Sequence, residues 1–278
     1  MKRVTALVAA FLLGCAACHS DSPQSAPRLP EGSAGRIVQR AIDASGGWER
    51  WTGLRDVAFV TTFTAYDPVG NISSESIGLH KSPLHGPPLV RFESLGVPNP
   101  VTFGFDGKEA WILRNGLPVN EPGRLEWSRF NMVSNAFWFS LPFSLAELPV
   151  AITDLGQQAD GATRWQRLRV TLDKQAPEAP CDWFVVYFDP ETGLIDHVLS
   201  HITASFLTHS LWVGKWLDYQ DWNGIKKERR RQFFPADAEG AIIGNLVVEQ
   251  LVEDVRFNNN FPASLFTKPV PVSGGEHT

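Results

Sequence analysis

The spacing of apolar residues changes twice along the chain. Apolar residues within 36–51 recur every three or four positions, which predicts an amphipathic helix that ends at Gly46 and Gly47. From 54 to 66 apolar and polar residues alternate, which is typical of a half-buried strand. Residues 124–141 return to helical spacing and predict a second helix.

Ten further segments have the composition or alternation of strands, at 71–79, 89–94, 101–105, 109–113, 164–173, 182–188, 194–206, 211–219, 225–234 and 242–252. Tight-turn sequences such as Asp106-Gly107 and Asn223-Gly224 separate several of them. Strands do not alternate with helices, so a parallel sheet is not expected. We predict a mainly β (α+β) fold, in which a single large curved antiparallel sheet forms an open half-barrel with helices covering the concave face. No linker divides residues 36–270, which form one predicted domain.

The N-terminus has the features of a targeting segment. Residues 1–14 combine a positively charged start with an apolar core that is too short to span a bilayer, as in a secretory signal peptide. The core ends in Leu-Leu-Gly-Cys, which resembles the lipobox of bacterial lipoproteins. That resemblance implies cleavage before Cys15 and acylation of its thiol. An ordinary secretory signal, cleaved nearby, is the alternative.

A lipid on Cys15 would tether the domain rather than insert it. Residues 15–35 are rich in Ser, Pro, Asp and Gly and predict a flexible tether, and residues 271–278 form a short tail. The residue after the cysteine is Ala16 rather than Asp, and the lipoprotein pattern then implies the outer membrane. The expected location is therefore the outer membrane, with the domain facing the periplasm.

Composition narrows the classes of partner. The chain has 278 residues, of which 43% are hydrophobic, and its formal net charge is −5. Nucleic-acid binding requires clustered positive charge, so no nucleic-acid partner is expected. Ten Trp and eighteen Phe are an unusual aromatic load, which requires a large buried apolar surface.

The cysteines allow two further interpretations. Cys15 to His19 matches the C-x-x-C-H pattern of c-type haem attachment, but Cys15 lies at the predicted cleavage point, so we expect no cofactor. Cys18 and Cys181 would remain after acylation of Cys15, and an oxidising compartment permits a bridge between them.

No motif of the chain identifies a reaction. The sequence contains neither a G-x-S-x-G elbow nor H-E-x-x-H, and we assign no catalytic residue, although a spatial triad is not excluded. His197 and His201 lie in a predicted strand about 13 Å apart and cannot share an ion, so no metal is expected. The charged run 226–231 is interpreted as a solvated strand edge, with contact to anionic headgroups as the alternative.

Several segments together resemble one known superfamily. They are 43–48 (DASGGW), 103–111 (FGFDGKEAW), 186–194 (VYFDPETGL), 217–225 (LDYQDWNGI) and 255–258 (VRFN). In this order they resemble the LolA/LolB-like outer-membrane lipoprotein-sorting superfamily, most closely its larger periplasmic lipoprotein relatives. The resemblance implies an open half-barrel covered by helices around an apolar cavity. It also implies a carrier of lipoprotein acyl chains.

An apolar cavity is therefore the candidate site. The aromatic residues predicted to line it are Trp111, Phe137, Trp138, Phe139, Phe143, Phe206, Trp212 and Trp216. The alternative is that these side chains fill an ordinary core.

Three hypotheses of function remain open. The first is a membrane-anchored periplasmic binding protein for a hydrophobic ligand, either a lipid or a lipoprotein acyl chain. The second is an enzyme of unknown reaction on the same scaffold, which we rank below binding. The third is a structural subunit of envelope assembly, with an envelope protein as partner.

Overall fold

The computed structural model describes residues 26–172, 180–204 and 206–269. Its helices are α1 (Gly32–Ala44), α2 (Trp48–Thr52), α3 (Pro122–Ser140) and α4 (Ser144–Glu147), with a 3₁₀ turn at Ala263–Leu265. Its strands are β1 (Asp56–Tyr66), β2 (Ile72–Pro83), β3 (Val90–Ser94), β4 (Val101–Phe105), β5 (Ala110–Arg114), β6 (Leu117–Pro118), β7 (Val150–Asp160), β8 (Thr163–Leu172), β9 (Trp183–Phe188), β10 (Ile195–His201), β11 (Leu211–Trp222), β12 (Ile225–Pro235) and β13 (Val248–Phe257).

All thirteen described strands belong to one antiparallel sheet, in the order β6-β5-β4-β3-β2-β1-β13-β12-β11-β10-β9-β8-β7. Two meanders, β1–β6 and β7–β13, meet where β1 pairs with β13. The edge strands β6 and β7 do not pair with each other, so the sheet stays open. A twisted sheet of more than about ten strands usually curls. The predicted mainly β class and open antiparallel half-barrel are confirmed.

The connection between the two meanders has to cross the sheet, because β6 and β7 lie at its opposite edges. Helices α3 and α4 make that connection and cover the concave face. Phe139 near the end of α3 stacks on Phe59 of β1, with ring centroids 4.9 Å apart. Trp138 meets Phe184 and Trp216 edge to face. The C-terminal half of α3 is thereby packed into the main core.

The sequence does not predict the two edge strands of the sheet. It predicts eleven strands and omits β6 and β7. Strand β6 is only two residues long. Strand β7 is an edge strand with mostly exposed positions, and Gly156 has a positive φ of 72° at a register shift, so its apolar alternation is weak. Strand β13 begins at Val248, six residues later than predicted.

Helix α1 begins inside the segment predicted to be a tether. It starts at Gly32, four residues before the predicted domain boundary, and both Ala34 and Gly35 are buried. A side chain at Gly35 would collide with the carbonyl oxygen of Pro30, which lies 2.0 Å from the Cβ position. The packed part of the chain therefore begins earlier than residue 36. Cys15 and Cys18 lie outside the described residues, and no helix within those residues is both long and apolar enough to span a bilayer.

We expect Phe139→Ala to destabilise the protein by about 3–5 kcal/mol, because it leaves a cavity between α3 and Phe59. Val69→Ala, at an exposed turn position, should change the free energy of unfolding by less than about 0.5 kcal/mol. Urea unfolding monitored by circular dichroism measures both. Equal effects of the two substitutions would show that α3 does not anchor the core.

Candidate functional site

A cavity of about 660 Å³ lies between α3 and the concave face of β1–β5. A smaller space of about 120 Å³ adjoins it and shares Phe63, Asn131 and Gln250 with its lining. The larger volume is within the range of small-molecule sites, about 300–1,000 Å³. Its apolar lining residues are Phe63, Phe92, Val97, Val101, Phe103, Ile112, Val119, Trp127, Met132 and Phe206.

The two parts of α3 have different roles. Its last turn, with Trp138 and Phe139, packs into the core, whereas residues from its start to beyond its middle, including Trp127, Asn131 and Met132, line the larger cavity. Trp127 is 45% exposed and so is Val97 across the cavity, which places both at its rim. The cavity therefore extends from a solvent-facing opening to buried residues such as Thr61 in the middle of the sheet.

Strand alternation gives the cavity its wall. Thr61 and Phe63 of β1 share the concave face, and Gln250 of β13 lies directly opposite Phe63. Gly78 lies opposite Thr61, and the Phe92 ring occupies the space of its missing side chain. A Cβ at Gly78 would be 2.1 Å from that ring, so only glycine lets Phe92 lie against the sheet.

Three of the eight predicted site residues line these cavities. Phe206 lines the larger cavity and meets Phe130 of α3 edge to face at 5.3 Å. Trp138 and Trp212 line the smaller one, and the Trp212 indole donates a hydrogen bond to the carbonyl oxygen of His209.

Four other predicted residues belong to the packed core. Phe143 stacks on Trp51 at 4.3 Å, and Phe139 stacks on Phe59. Phe137 and Trp216 meet Trp138 edge to face. These rings support the inner end of α3 and are not part of either cavity lining.

Trp111 is the predicted residue that the structure places elsewhere. Its neighbour Ile112 faces α3 and lines the cavity, so Trp111 points from β5 to the opposite face of the sheet. There its indole donates a hydrogen bond of 3.0 Å to the carbonyl oxygen of Phe266, under the C-terminal segment. The Arg91 guanidinium lies 5.6 Å from the ring centroid.

Most residues that line the larger cavity, including Phe63, Phe92, Trp127 and Met132, were not among the predicted site residues. The alternation of β1 places Phe63 on the same face as Phe59, so this residue was predictable. Phe92 and Trp127 gave no such signal, because their place depends on how β3 and the start of α3 approach each other.

The charged run in β12 is not a solvated edge, and this interpretation is wrong. Strand β12 lies inside the sheet between β11 and β13, and Lys227, Glu228 and Arg231 are buried. Pairing with β13 stops at Arg230, and Asp218 of β11 has a positive φ of 56°. This irregularity breaks the alternation, so that neighbouring residues both turn inward.

The buried charges form a connected cluster behind the cavity. Arg231 donates from Nε to Glu228 Oε1 at 2.7 Å and from Nη1 to Asn135 Oδ1 at 2.8 Å. Lys227 Nζ donates to the Leu141 carbonyl oxygen and lies 3.3 Å from Glu228 Oε2. Burial lowers the pKa of Lys227 to about 8, although the Glu228 carboxylate opposes that shift.

His80 is a second buried titratable residue beside this cluster. Its ring stacks on Phe59 with centroids 4.6 Å apart, and neither ring nitrogen has a hydrogen-bond partner among the residues that the structure describes. Burial, and secondarily the charge of Arg231, lowers the pKa of His80 to about 3. The imidazole is therefore neutral at physiological pH.

The two histidines of the predicted strand, His197 and His201, stack on aromatic rings. His197 and His201 both lie in β10, so the predicted strand is confirmed there. His197 stacks on Tyr187 and His201 on Trp183. Among the described residues, no three His, Cys, Asp or Glu side chains gather as a metal site would require. Cys181 is buried, and burial raises the pKa of its thiol.

Comparison with solved structures shows a known fold. The structure is similar to that of a LolA superfamily protein from Nitrosomonas europaea, with a TM-score of 0.55, 10% identity, and coverage of 86% of this chain and 99% of that one. A DUF1329 family protein from Desulfovibrio piger gives a TM-score of 0.53 at 10% identity, covering 84% and 96%. No protein-family model and no curated protein matches the sequence. At such identity the likeness shows the fold alone, and at that level the resemblance to the LolA/LolB-like superfamily is confirmed.

The pKa of His80 predicts a loss of stability in acid. Because the native pKa is about 3 and the unfolded value 6.5, only the unfolded chain binds this proton as the pH falls below 6.5. This proton uptake should lower the free energy of unfolding by about 2 kcal/mol at pH 5. In urea unfolding, His80→Phe should show a smaller loss between pH 7 and pH 5 than the wild type, by about that amount. An identical loss in both proteins would contradict the assignment.

Proposed function

We propose that this protein is a membrane-anchored periplasmic binding protein that holds a hydrophobic ligand, a lipid or a lipoprotein acyl chain, in the larger cavity. The observation that carries the proposal is the cavity of about 660 Å³ with mainly apolar walls, between α3 and the sheet. The fold shared with a LolA superfamily protein supports it.

The apolar wall provides enough free energy for such a ligand. Burial of an acyl chain contributes about 0.8 kcal/mol per methylene, so ten buried methylenes contribute about 8 kcal/mol. About 8 kcal/mol corresponds to a dissociation constant of about 1 μM, and because ordering of the chain offsets part of it, ten buried methylenes give binding weaker than that.

The cavity lining favours binding over catalysis. Among the described residues, its charged lining side chains are Arg114 and Arg124, and the linings of the two adjoining cavities include no Asp, Glu, His, Cys or Lys. General acid–base or nucleophilic chemistry needs such groups at the ligand. The titratable His80, Lys227 and Glu228 lie behind the wall instead of on it.

The location rests on the N-terminal sequence. A lipid on Cys15 would anchor the chain in the outer membrane, and the residues before α1 would link the anchor to the domain. The domain would then meet its ligand, or an envelope protein that delivers it, at the periplasmic membrane surface.

Asn131→Trp should block the cavity, because Asn131 lines both spaces from the middle of α3. We expect the wild type to bind the neutral probe N-phenyl-1-naphthylamine with a fluorescence increase, and Asn131→Trp to bind it at least about tenfold more weakly. Asn131→Ala, which removes the same amide without adding bulk, should remain within about threefold of the wild type. Equal binding by all three proteins would contradict a ligand in this cavity.

Cys15→Ser should release the protein from the membrane, because serine lacks the thiol that is acylated. Fractionation of expressing cells should find the wild type in the outer membrane and Cys15→Ser in the soluble fraction. Cys18→Ser is the matched control and should stay with the membrane. Membrane retention of Cys15→Ser, or release of Cys18→Ser, would rule out an anchor on Cys15.

A further inference from the structure

The inner end of the cavity contains polar atoms without partners. Within the described part of the chain, Thr61 Oγ1 and Gln250 Oε1 on the wall of the larger cavity have no hydrogen-bond partner. Ser134 Oγ, on the wall of the smaller cavity, has none there either. These side chains are only 3%, 8% and 8% exposed, respectively. Most buried polar groups in proteins are hydrogen-bonded, so unpartnered ones in the wall of a cavity indicate a guest with polar atoms.

A buried cation lies beside these atoms. Arg231 is directly opposite Gln250 across the β12–β13 pair, and Phe63 is directly opposite Gln250 on the other side. Directly opposed residues share a face of the sheet, with Cβ atoms about 4.5–5.5 Å apart. Thr61 is on that face two positions from Phe63. The polar inner end is therefore a short row across three neighbouring strands.

The cluster around Arg231 carries more positive than negative charge. Lys227 and Arg231 are cationic and Glu228 is the single carboxylate among the three, so one positive charge is in excess. Buried charges are normally paired. Asn135 links this cluster to the cavity, because it lines the cavity and its side-chain oxygen accepts a hydrogen bond from Arg231. The N–H groups of its side-chain amide remain to donate to a ligand.

We propose that the larger cavity binds a long-chain fatty acid with its carboxylate at this inner end, hydrogen-bonded by Thr61, Asn135 and Gln250 beside the buried Arg231. The inference rests on the proposed function and specifies its ligand. The alkyl chain runs outward along the apolar wall of β3–β5 to the rim at Val97. Gln250 can present either end of its amide by rotation, so it serves as a donor to the carboxylate. The carboxylate of the fatty acid neutralises the excess positive charge without contacting the Arg231 guanidinium.

The test compares a fatty acid with its neutral ester. Palmitate and methyl palmitate have the same chain, and each is used to displace N-phenyl-1-naphthylamine from the wild type. A charge-assisted hydrogen bond in a buried site strengthens binding by about 10- to 100-fold, so palmitate should bind at least about tenfold more tightly. The double variant Thr61→Val/Gln250→Leu should reduce this preference, taken as the ratio of the two affinities in the same variant, to below about threefold.

Two controls locate the carboxylate. Thr62→Val makes the same change on the opposite face of β1 and should keep the full preference. Arg114→Gln removes a cation of the cavity lining on the exposed last residue of β5, and should also keep it. Loss of the preference in Arg114→Gln would place the carboxylate at the outer end and overturn the proposal.

Each outcome is decisive. Equal affinity of the two ligands for the wild type, or an undiminished preference in the double variant, overturns the carboxylate site while the proposed function stands. If neither ligand displaces the probe, the proposed function itself fails. Retained binding of methyl palmitate shows that a variant is folded. If the double variant does not fold, the nearly isosteric Thr61→Val alone should lower the preference at least about threefold, and an unchanged preference overturns the proposal.

Discussion

The structure depends on one constraint: a thirteen-strand sheet with an apolar concave face has to cover that face without closing on itself. Because the two meanders end at opposite edges, the helix that joins them crosses the face. Its C-terminal half is fixed by the stack of Phe139 on Phe59 and by the contacts of Trp138. Its N-terminal half contacts β3–β5 through Leu125 and through Arg129, whose guanidinium lies 5.1 Å from the Phe105 ring centroid, and the cavity lies beside these contacts. One helix therefore both covers the core, with its C-terminal half, and borders the cavity, with its N-terminal half.

The cluster of charged residues under the cavity is costly to bury. Lys227, Glu228 and Arg231 lose their hydration, and the hydrogen bonds to Asn135 and to the Leu141 carbonyl offset part of that loss. Both of these partners belong to α3 or directly follow it, so the cluster also joins the helix to β12. The apolar wall and this polar base together give the cavity two chemically different ends, which suits an amphipathic ligand better than a purely apolar one.

Local signals predicted much of the fold, and non-local packing determined the site. The turn at Asp106-Gly107 and the alternation of β1 depend on neighbouring residues and were visible in the sequence. Trp111 was misplaced because a five-residue strand does not show which of its faces meets the helix. The burial of Lys227 depends on the position of β12 inside the sheet, which is set by pairing with strands far along the chain.

Ligand binding requires that the concave face encloses accessible apolar space. Xenon enters dry apolar cavities and scatters X-rays strongly, so crystals of the protein pressurised with xenon test the claim directly. We expect xenon density against Phe63 and Trp138 beneath α3 and along the wall at Phe103. Side chains filling this space, with no xenon bound between α3 and the sheet, would contradict it.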